Sequence, residues 1–518
     1  MQAVDVLVVG AGPTGLTVAL EAHDHGASVR ILDRRPRAFR PSRALIMHPR
    51  SLEVLRPLGV TEALLERADA APAGSLHLGK RAVSVRLTDL PLADTSFPHL
   101  SLVRQADVEE VLGQALANRG LAVQRDTAFV EAQCGRDETR SVIHSPGGTD
   151  ECVSSFLAGC DGVASTVRQL AGIGWRGSRY AEEVLLADVE LEGELEGGVA
   201  HVLPGRPGLV FAFPLGEQAT WRLLLTRPAG RDRLPPGLSG PPVPAQELQE
   251  RMDEVGLKAT IRDLRWSTRV QLQCSLADQF RRGRLFLAGD AAHASSPATG
   301  QGMNTGIQDA ANLGWKLAFA ARGATAPGLL DSYDFERRRV ARRVLAFTHL
   351  AFWGEASTST VPSILRTIAP LAAPVLPVVL RQRWLLAEAI AALGHLRVGY
   401  RHSPLSMEGT PHLSGGPRPG QRLPDSAVTG DDRHVRMHEL LAQPGIHVLL
   451  QRDADEIDRH GLGRLVSVHR LASATGQAVI AVRPDGHVGY SSATTNEPEL
   501  RRWLADIGAA RPFSPGGR

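Results

Sequence analysis

The spacing of apolar and polar residues changes several times along the chain, and each change predicts an element. Residues 4–9, VDVLVV, read as a buried strand. Leu16, Ala19 and Leu20 open a helix face, Gly26 ends it, and SVRIL at 28–32 is a second strand. FLAGC at 156–160 and RLFLAGD at 284–290 are two further strands running into turns. Beyond the second, Met303, Ile307, Ala310, Gly314 and Leu317 recur at helical spacing. From 178 to 280 the pattern alternates. ADVELEG at 187–193 is one strand, and GLVFAF, a turn at 215–218 and TWRLLLT predict a hairpin with Trp221, Leu223 and Leu225 on one face. Residues 345–400 are helical and apolar with internal prolines, and 403–424, SPLSMEGTPHLSGGPRPGQRLP, reads as a linker. The tail holds strand-like HVLLQ, AVIAV and HVGY, a turn at RPDG (483–486), and a helix with Leu500, Trp503, Leu504 and Ile507. The order predicts an α/β fold. A Rossmann-like domain spans 1–177 and 281–400, an inserted mixed β-sheet domain 178–280, a linker 401–424, and a last domain 425–518.

Composition narrows the class. A chain of 518 residues exceeds one hydrophobic core and predicts roughly two to four domains. With 43% hydrophobic and 22% charged residues it is globular, and a net charge of +3, spread out, gives no footprint for nucleic acid. Cysteines at 134, 152, 160 and 274 form no CxxC, and no histidine pair has zinc spacing, so no metal site is expected. Such sparse cysteine fits a reducing cytoplasm. The N-terminus MQAVDVLVVGAGPTG lacks a basic region and is broken by Gly and Pro, so it is not read as a signal peptide. TIAPLAAPVLPVVL at 367–380 holds three prolines and falls short of the roughly twenty residues a membrane span needs. A buried or lid-like helical segment is expected there, and no membrane partner.

The chemistry begins at Gly10, Gly12 and Gly15, a GxGxxG between strand and helix. Gly10 permits the tight turn, Gly12 lets a pyrophosphate approach the backbone, and Gly15 lets helix and strand pack closely. The helix N-terminus supplies free N–H groups for phosphate. Asp33 closes the second strand and would accept from a ribose hydroxyl. The complete βαβ frame makes the motif specific for a dinucleotide, without separating FAD from NAD. Asp161-Gly162 and Gly289-Asp290 each end a strand. Taken alone, Asp-Gly is a common turn and Arg168 a common surface charge. The run GDAAHASSPATGQGMN at 289–304 places Gly300 and Gly302 at a helix N-terminus, which stabilises an anion or a partly negative oxygen.

GAGPTG, CDGVASTVR and GDAAHASSPATGQGMN, in that order, resemble the class A flavoprotein monooxygenases, the FAD-dependent aromatic hydroxylases. Lesser matches at 41–60, 103–112 and 329–341 extend the resemblance over 4–341. Carried over residue by residue, it implies that FAD touches Gly10, Gly12, Pro13, Thr14, Gly15, Asp33, Arg34, Arg43, Arg104, Gln105, Asp161, Gly162, Asp290, Pro297, Gly300, Gly302, Met303 and Asn304. Asp33 replaces the more usual Glu, keeping the carboxylate and shortening its reach. His293 follows GDAA but precedes a smaller spacer than is usual, and is read as structural rather than catalytic. No catalytic base is named. Arg43 and His48 are candidates, with a structural role at the start of a helix as the alternative for His48. The inserted sheet would roof the substrate pocket, although each of its residues is more plainly read as sheet core. The tail resembles the thioredoxin-like domain of the phenol and polyketide hydroxylase branch but contains no Cys, so it cannot perform disulfide chemistry.

The resemblance implies NADPH or NADH as co-substrate, O2, and a flavin C4a-hydroperoxide that hydroxylates a bulky aromatic. A polycyclic polyketide phenol or quinone is the expected substrate, and a homodimer is left open. No second GxGxxG occurs, which fits a nicotinamide shared with the DG region and disfavours the separate two-Rossmann Baeyer–Villiger family. Oxygen insertion by the same fold, and a redox-silent flavin-binding scaffold, are the alternatives carried forward. A flavin halogenase is disfavoured because no WxWxIP occurs; Trp315-Lys316 does not match it.

Overall fold

The computed structural model describes residues 2–510 except 38–44, 70–72, 79–80, 87–89, 206–207, 216–220, 231–233, 236–238, 297–299, 324–327, 358, 360, 363, 365–381 and 431–432. Arg43, Pro297, most of the turn at 215–218 and the apolar stretch at 367–380 therefore lie outside the described residues.

Three large sheets organise the chain. In the first, Gln2–Val9 lies between the parallel strands Gly148–Gly159 and Val29–Leu32, with Leu285–Leu287 and Val123–Gln124 beyond them. A parallel sheet is covered on both faces, so its strands are apolar almost throughout. Val6, Leu7 and Val8 are wholly buried. The helix Pro13–Asp24 packs on this sheet and against the long helix Gln301–Ala321, which also reaches the sheet.

The second sheet contains the expected hairpin, Gly208–Pro214 against Trp221–Pro228. It also contains the long strands Trp175–Gly193 and Ala259–Ala277. One face packs Leu185, Ala187, Val189, Leu223 and Leu225 against Leu248 and Met252 of the helix Ala245–Glu254. The sheet is wider than 178–280. It starts at Trp175 and takes in the hairpin Ala73–Leu78 and Arg81–Arg86, which pairs in parallel with Val199–Gly205. Alternation marks a strand but not a partner more than a hundred residues away, which is why the sequence boundary differs.

The third sheet runs in the order Met407–Glu408, Val488–Ser492, Val479–Val482, Ile446–Gln451, Val466–Leu471, Ala427–Gly430, Arg433–Arg436. Leu500, Trp503 and Leu504 of the helix Glu497–Asp506 and its C-cap Ile507 join Trp315 and Phe319 of the long helix in one core. Residues 401–424, expected as a linker, are instead docked. Met407–Glu408 is a strand of this sheet, Leu405 and Leu423 are buried, and Arg422 pairs with Glu53. The Pro and Gly content marks turns, while scattered apolar residues and one arginine anchor them. Among the described residues, no helix is long and apolar enough to cross a membrane. None of their His, Cys, Asp and Glu side chains form a group that could hold a metal.

Candidate cofactor site

The strand Gln2–Val9 delivers the chain into a turn that only glycine can make. Gly10 has φ +101°, and a Cβ there would lie 2.3 Å from the Cys160 carbonyl oxygen. A Cβ on Gly15 would lie 1.8 Å from the carbonyl oxygen of Gly10, so the helix rests directly on the turn. A Cβ on Gly12 would meet nothing within 4 Å. Gly12 is the helix N-cap, Pro13 opens the first turn, and no side chain caps it. The N–H groups of that turn are therefore left for an anion from outside the chain.

Asp33 is buried at the end of Val29–Leu32. Its Oδ2 accepts from the Ala11 N–H at 2.9 Å and its Oδ1 from the Arg35 N–H at 2.8 Å. Arg35 Nε and Nη2 also donate to Oδ1 and Oδ2 at 3.0 and 2.8 Å. Burial alone would raise the Asp33 pKa, but the Arg35 guanidinium and these N–H groups outweigh it and hold the carboxyl below its usual range. A ribose hydroxyl would share this carboxylate with Arg35. Arg34 beside it is exposed.

Asp161 follows Gly159 and caps the helix Thr166–Leu170. Its Oδ2 accepts from the N–H groups of Thr166 and Val167 at 2.7 and 3.2 Å. Its Oδ1 is buried with no partner, and burial pushes the carboxyl pKa up. Gly162 has φ +79°, and a Cβ there would face open space. Arg168 donates to the Ala291 carbonyl at 2.8 Å and so ties this turn to the one after Leu285–Leu287.

At that next turn a Cβ on Gly289 would lie 2.6 Å from Thr14 Oγ1, and Asp290 is exposed. His293 turns inward. Its Nε2 lies 2.6 Å from Asp309 Oδ2, and Arg337 Nε donates to Asp309 Oδ1 at 2.7 Å. This wholly buried arrangement supports the structural reading of His293. Asp309 and Arg337 are residues the sequence did not single out, although Arg337 lies within the match at 329–341.

The long helix begins at Gly300, φ +63°, packed on Ile46, again with no side-chain cap and no acid in its first turn. Gly302 has nothing nearer than Ser295 Oγ, 3.8 Å from a Cβ placed on it, and Met303 is half-buried. Asn304 is wholly buried. Its Oδ1 accepts from the His48 N–H and from Ser51 Oγ, and its Nδ2 donates to the carbonyls of Ile46 and Gly300. All four positions on its amide are taken, so only its backbone is left for a cofactor. His48 is the buried N-cap of the helix Pro49–Leu55, and its Nδ1 lies 3.0 Å from the Leu393 carbonyl. Arg104 and Gln105 start another helix beside Ile46 and are engaged by Asp107 and Glu109.

The structure thus brings the three glycine-containing turns, residues 46–48 and the start of the long helix into one region. Two uncapped helix N-termini, an open Gly12, a buried acceptor on Asp161 and an acid at Asp33 fit a dinucleotide. Asp33 would hold the adenosine ribose, the first helix the pyrophosphate, and the turn at 300–304 the flavin ring.

A family model described as FAD binding domain matches residues 3–348, and one described as aromatic-ring hydroxylase, C-terminal matches 416–510. The chain is 32% identical over 457 residues to 6-methylpretetramide 4-monooxygenase of Streptomyces rimosus, covering 87% of this chain and 77% of that one. Among solved structures, the OxyS anhydrotetracycline hydroxylase from Streptomyces rimosus superposes with a TM-score of 0.78 at 27% identity, covering 98% of this chain and 100% of that one. The Diels-Alderase PyrE3 of the pyrroindomycin pathway superposes with a TM-score of 0.75 at 25% identity, covering 99% and 100%. With a cofactor site of this construction and both matches in place, the chain belongs to the FAD-dependent aromatic-ring hydroxylases, a family of monooxygenases.

Proposed function

We propose that this enzyme uses NAD(P)H and O2 to oxygenate a bulky, flat aromatic of the polycyclic polyketide class. The observation that carries this reading is the second face of the middle sheet. There Val202, Phe211, Phe213 and Leu224 stand half-exposed, with the two phenyl rings stacked at 5.5 Å. An apolar aromatic wall suits a planar aromatic ligand. It runs into Tyr180 and Phe352, whose rings lie 4.5 Å apart. Ser296 of the loop leading to Gly300 bonds the neighbouring Thr348 carbonyl. The hydroxylation of related tetracycline intermediates by similar proteins supports the substrate class.

Gly10, Gly12, Gly15, Asp33, Asp161, Gly162, Asp290, Gly300, Gly302 and Met303 are the residues proposed to hold FAD. Bound FAD supplies hydride acceptance from the nicotinamide and activation of O2. The chain's own part is to seat pyrophosphate on an uncapped helix, set a helix N-terminus beside the ring where negative charge develops, and exclude water with the apolar wall. The tail's strand order, with Ile446–Gln451 parallel to Val466–Leu471 and antiparallel to Val479–Val482, supports a thioredoxin-like reading, although no helix occupies the described crossover at 452–465.

The test is NAD(P)H consumption by the flavin-loaded protein with a panel of polycyclic phenols and quinones, followed by product mass and NMR. A substrate-stimulated rate and one added oxygen are expected, and NMR separates hydroxylation from ring insertion. The likeness to a Diels-Alderase favours a second reading, a flavin-bound protein that catalyses no net oxidation. Product formation without nicotinamide consumption would establish it.

A further inference from the structure

Residues 483–486 look like an ordinary turn between two strands of the C-terminal sheet. In the structure this turn enters the FAD-binding domain and is buried in charge. Arg483 Nη1 and Nη2 donate to Glu336 Oε1 and Oε2 at 2.6 and 2.8 Å. Asp485 accepts from Arg483 and, at 2.8 Å, from Asn312 Nδ2. Asn312 Nδ2 also donates to Glu336 at 2.7 Å, and Lys316 Nζ donates to Asn312 and Glu336, both at 2.8 Å. None of these five side chains is more than 3% exposed. Two cations and two anions balance around one amide. Such a set has one good geometry, because each charge taken from water is stable only with its partners in place.

Two of the five lie on the long helix. Asn312 and Lys316 stand about two and three turns beyond the 300–304 segment. Between them and that segment, Asp309 holds the Gly289 N–H, His293 and Arg337. Arg337 in turn donates to Tyr400 Oη at 2.9 Å, and the Tyr400 ring lies 4.3 Å from that of His487. Arg50 reaches the Asp485 carbonyl from the helix whose N-cap, His48, donates to Asn304. The one turn therefore meets the long helix and the helix after His48, and is linked to the Gly289–Asp290 turn through His487, Tyr400, Arg337 and Asp309.

We propose that the C-terminal domain is a positioning element of the flavin site, with Arg483 and Asp485 holding the long helix so that its N-terminus and the Gly289–Asp290 turn stand where FAD requires them. The inference rests on FAD seating at those turns. By linkage, FAD and the docked tail then stabilise each other by the same factor.

The test compares the FAD dissociation constant and the apoprotein melting temperature for the full-length parent, Arg483→Met, Arg483→Lys, Asn312→Ala and Leu449→Ala. Leu449 is buried in the tail core and contributes no polar group to this network, so its variant destabilises the tail without removing any of the network's hydrogen bonds. Asn312→Ala strands no whole charge and keeps the test open if Arg483→Met does not fold. Arg483→Met and Asn312→Ala should weaken FAD binding about tenfold or more, and Arg483→Lys less, while Leu449→Ala lowers the melting temperature with FAD affinity unchanged. In the parent, FAD should slow amide exchange at 483–487. Parental FAD affinity in both Arg483→Met and Asn312→Ala, or equal weakening in Leu449→Ala, would overturn the proposal and leave the cofactor assignment standing. A parent that binds no FAD would overturn both.

Discussion

Gly12 and Gly15 are three residues apart and answer to different constraints. At Gly15 a side chain would collide with the backbone of Gly10, whereas at Gly12 it would project into empty space. Gly12 also has an extended backbone, φ −80° and ψ −178°, that any residue can adopt. Gly12→Val should therefore cost the apoprotein no more than about 1 kcal/mol, the difference between glycine and valine at an N-cap, and abolish FAD retention on gel filtration. Gly15→Ala should destabilise the apoprotein by about 3 kcal/mol, measured by denaturant unfolding. A Gly12→Val protein that elutes with full flavin would remove the pyrophosphate from this turn. The tight turn at Gly10 and the close packing at Gly15 were legible in the sequence because a glycine motif encodes its own geometry locally. Asn304 was expected only as a cofactor contact; its amide partners at Ile46, His48 and Ser51 could not be read from its own segment.

The long helix shows how an element carries information that its periodicity hides. Met303, Ile307, Ala310, Gly314 and Leu317 predict one apolar face, yet polar Gln308, Asp309, Asn312 and Lys316 are buried as well. Gly314 lets this helix approach the first one. A Cβ there would lie 2.4 Å from Glu21 Cβ and 3.0 Å from the Val18 carbonyl oxygen. Alanine gains about 1 kcal/mol in helix propensity, but overpacking against backbone costs about 1–3 kcal/mol, so Gly314→Ala should lower stability by about 1 kcal/mol net. A raised denaturation midpoint would show that the two helices can separate freely. Strands framed by glycine turns were readable. Val466–Leu471 was not, because five of its six residues are only half-buried and the alternation is faint. The docked segment at 401–424 was not, because its anchors are single residues whose partners lie in another domain.

At the scale of the molecule, two histidines buried in different domains give it a shared acid limit. Burial lowers the pKa of His25, beside the first helix, and of His447, in the C-terminal sheet, each from 6.5 to about 4. The folded state thus binds fewer protons than the unfolded chain between pH 6.5 and 4. Stability is full above that window and falls as pH drops through it. At pH 5 the loss should be about 2 kcal/mol for each histidine, read as a drop in denaturant midpoint from pH 7. Replacing both with Asn should make the profile shallower, leaving the share of His395, His438 and His487, whose pKa burial also lowers. The chain's order also differs from its architecture. The hairpin Ala73–Leu78 and Arg81–Arg86 is made early and completes a sheet whose other strands begin at Trp175. For protein engineering, the substrate cassette proposed on this sheet is therefore two segments, not one. A chimera that imports only 175–277 would meet a foreign hairpin across Val199–Gly205, leaving a mismatched or open strand edge that invites aggregation. Moving residues 73–86 with it should restore solubility, so a change of substrate by recombination has to be made in both places at once.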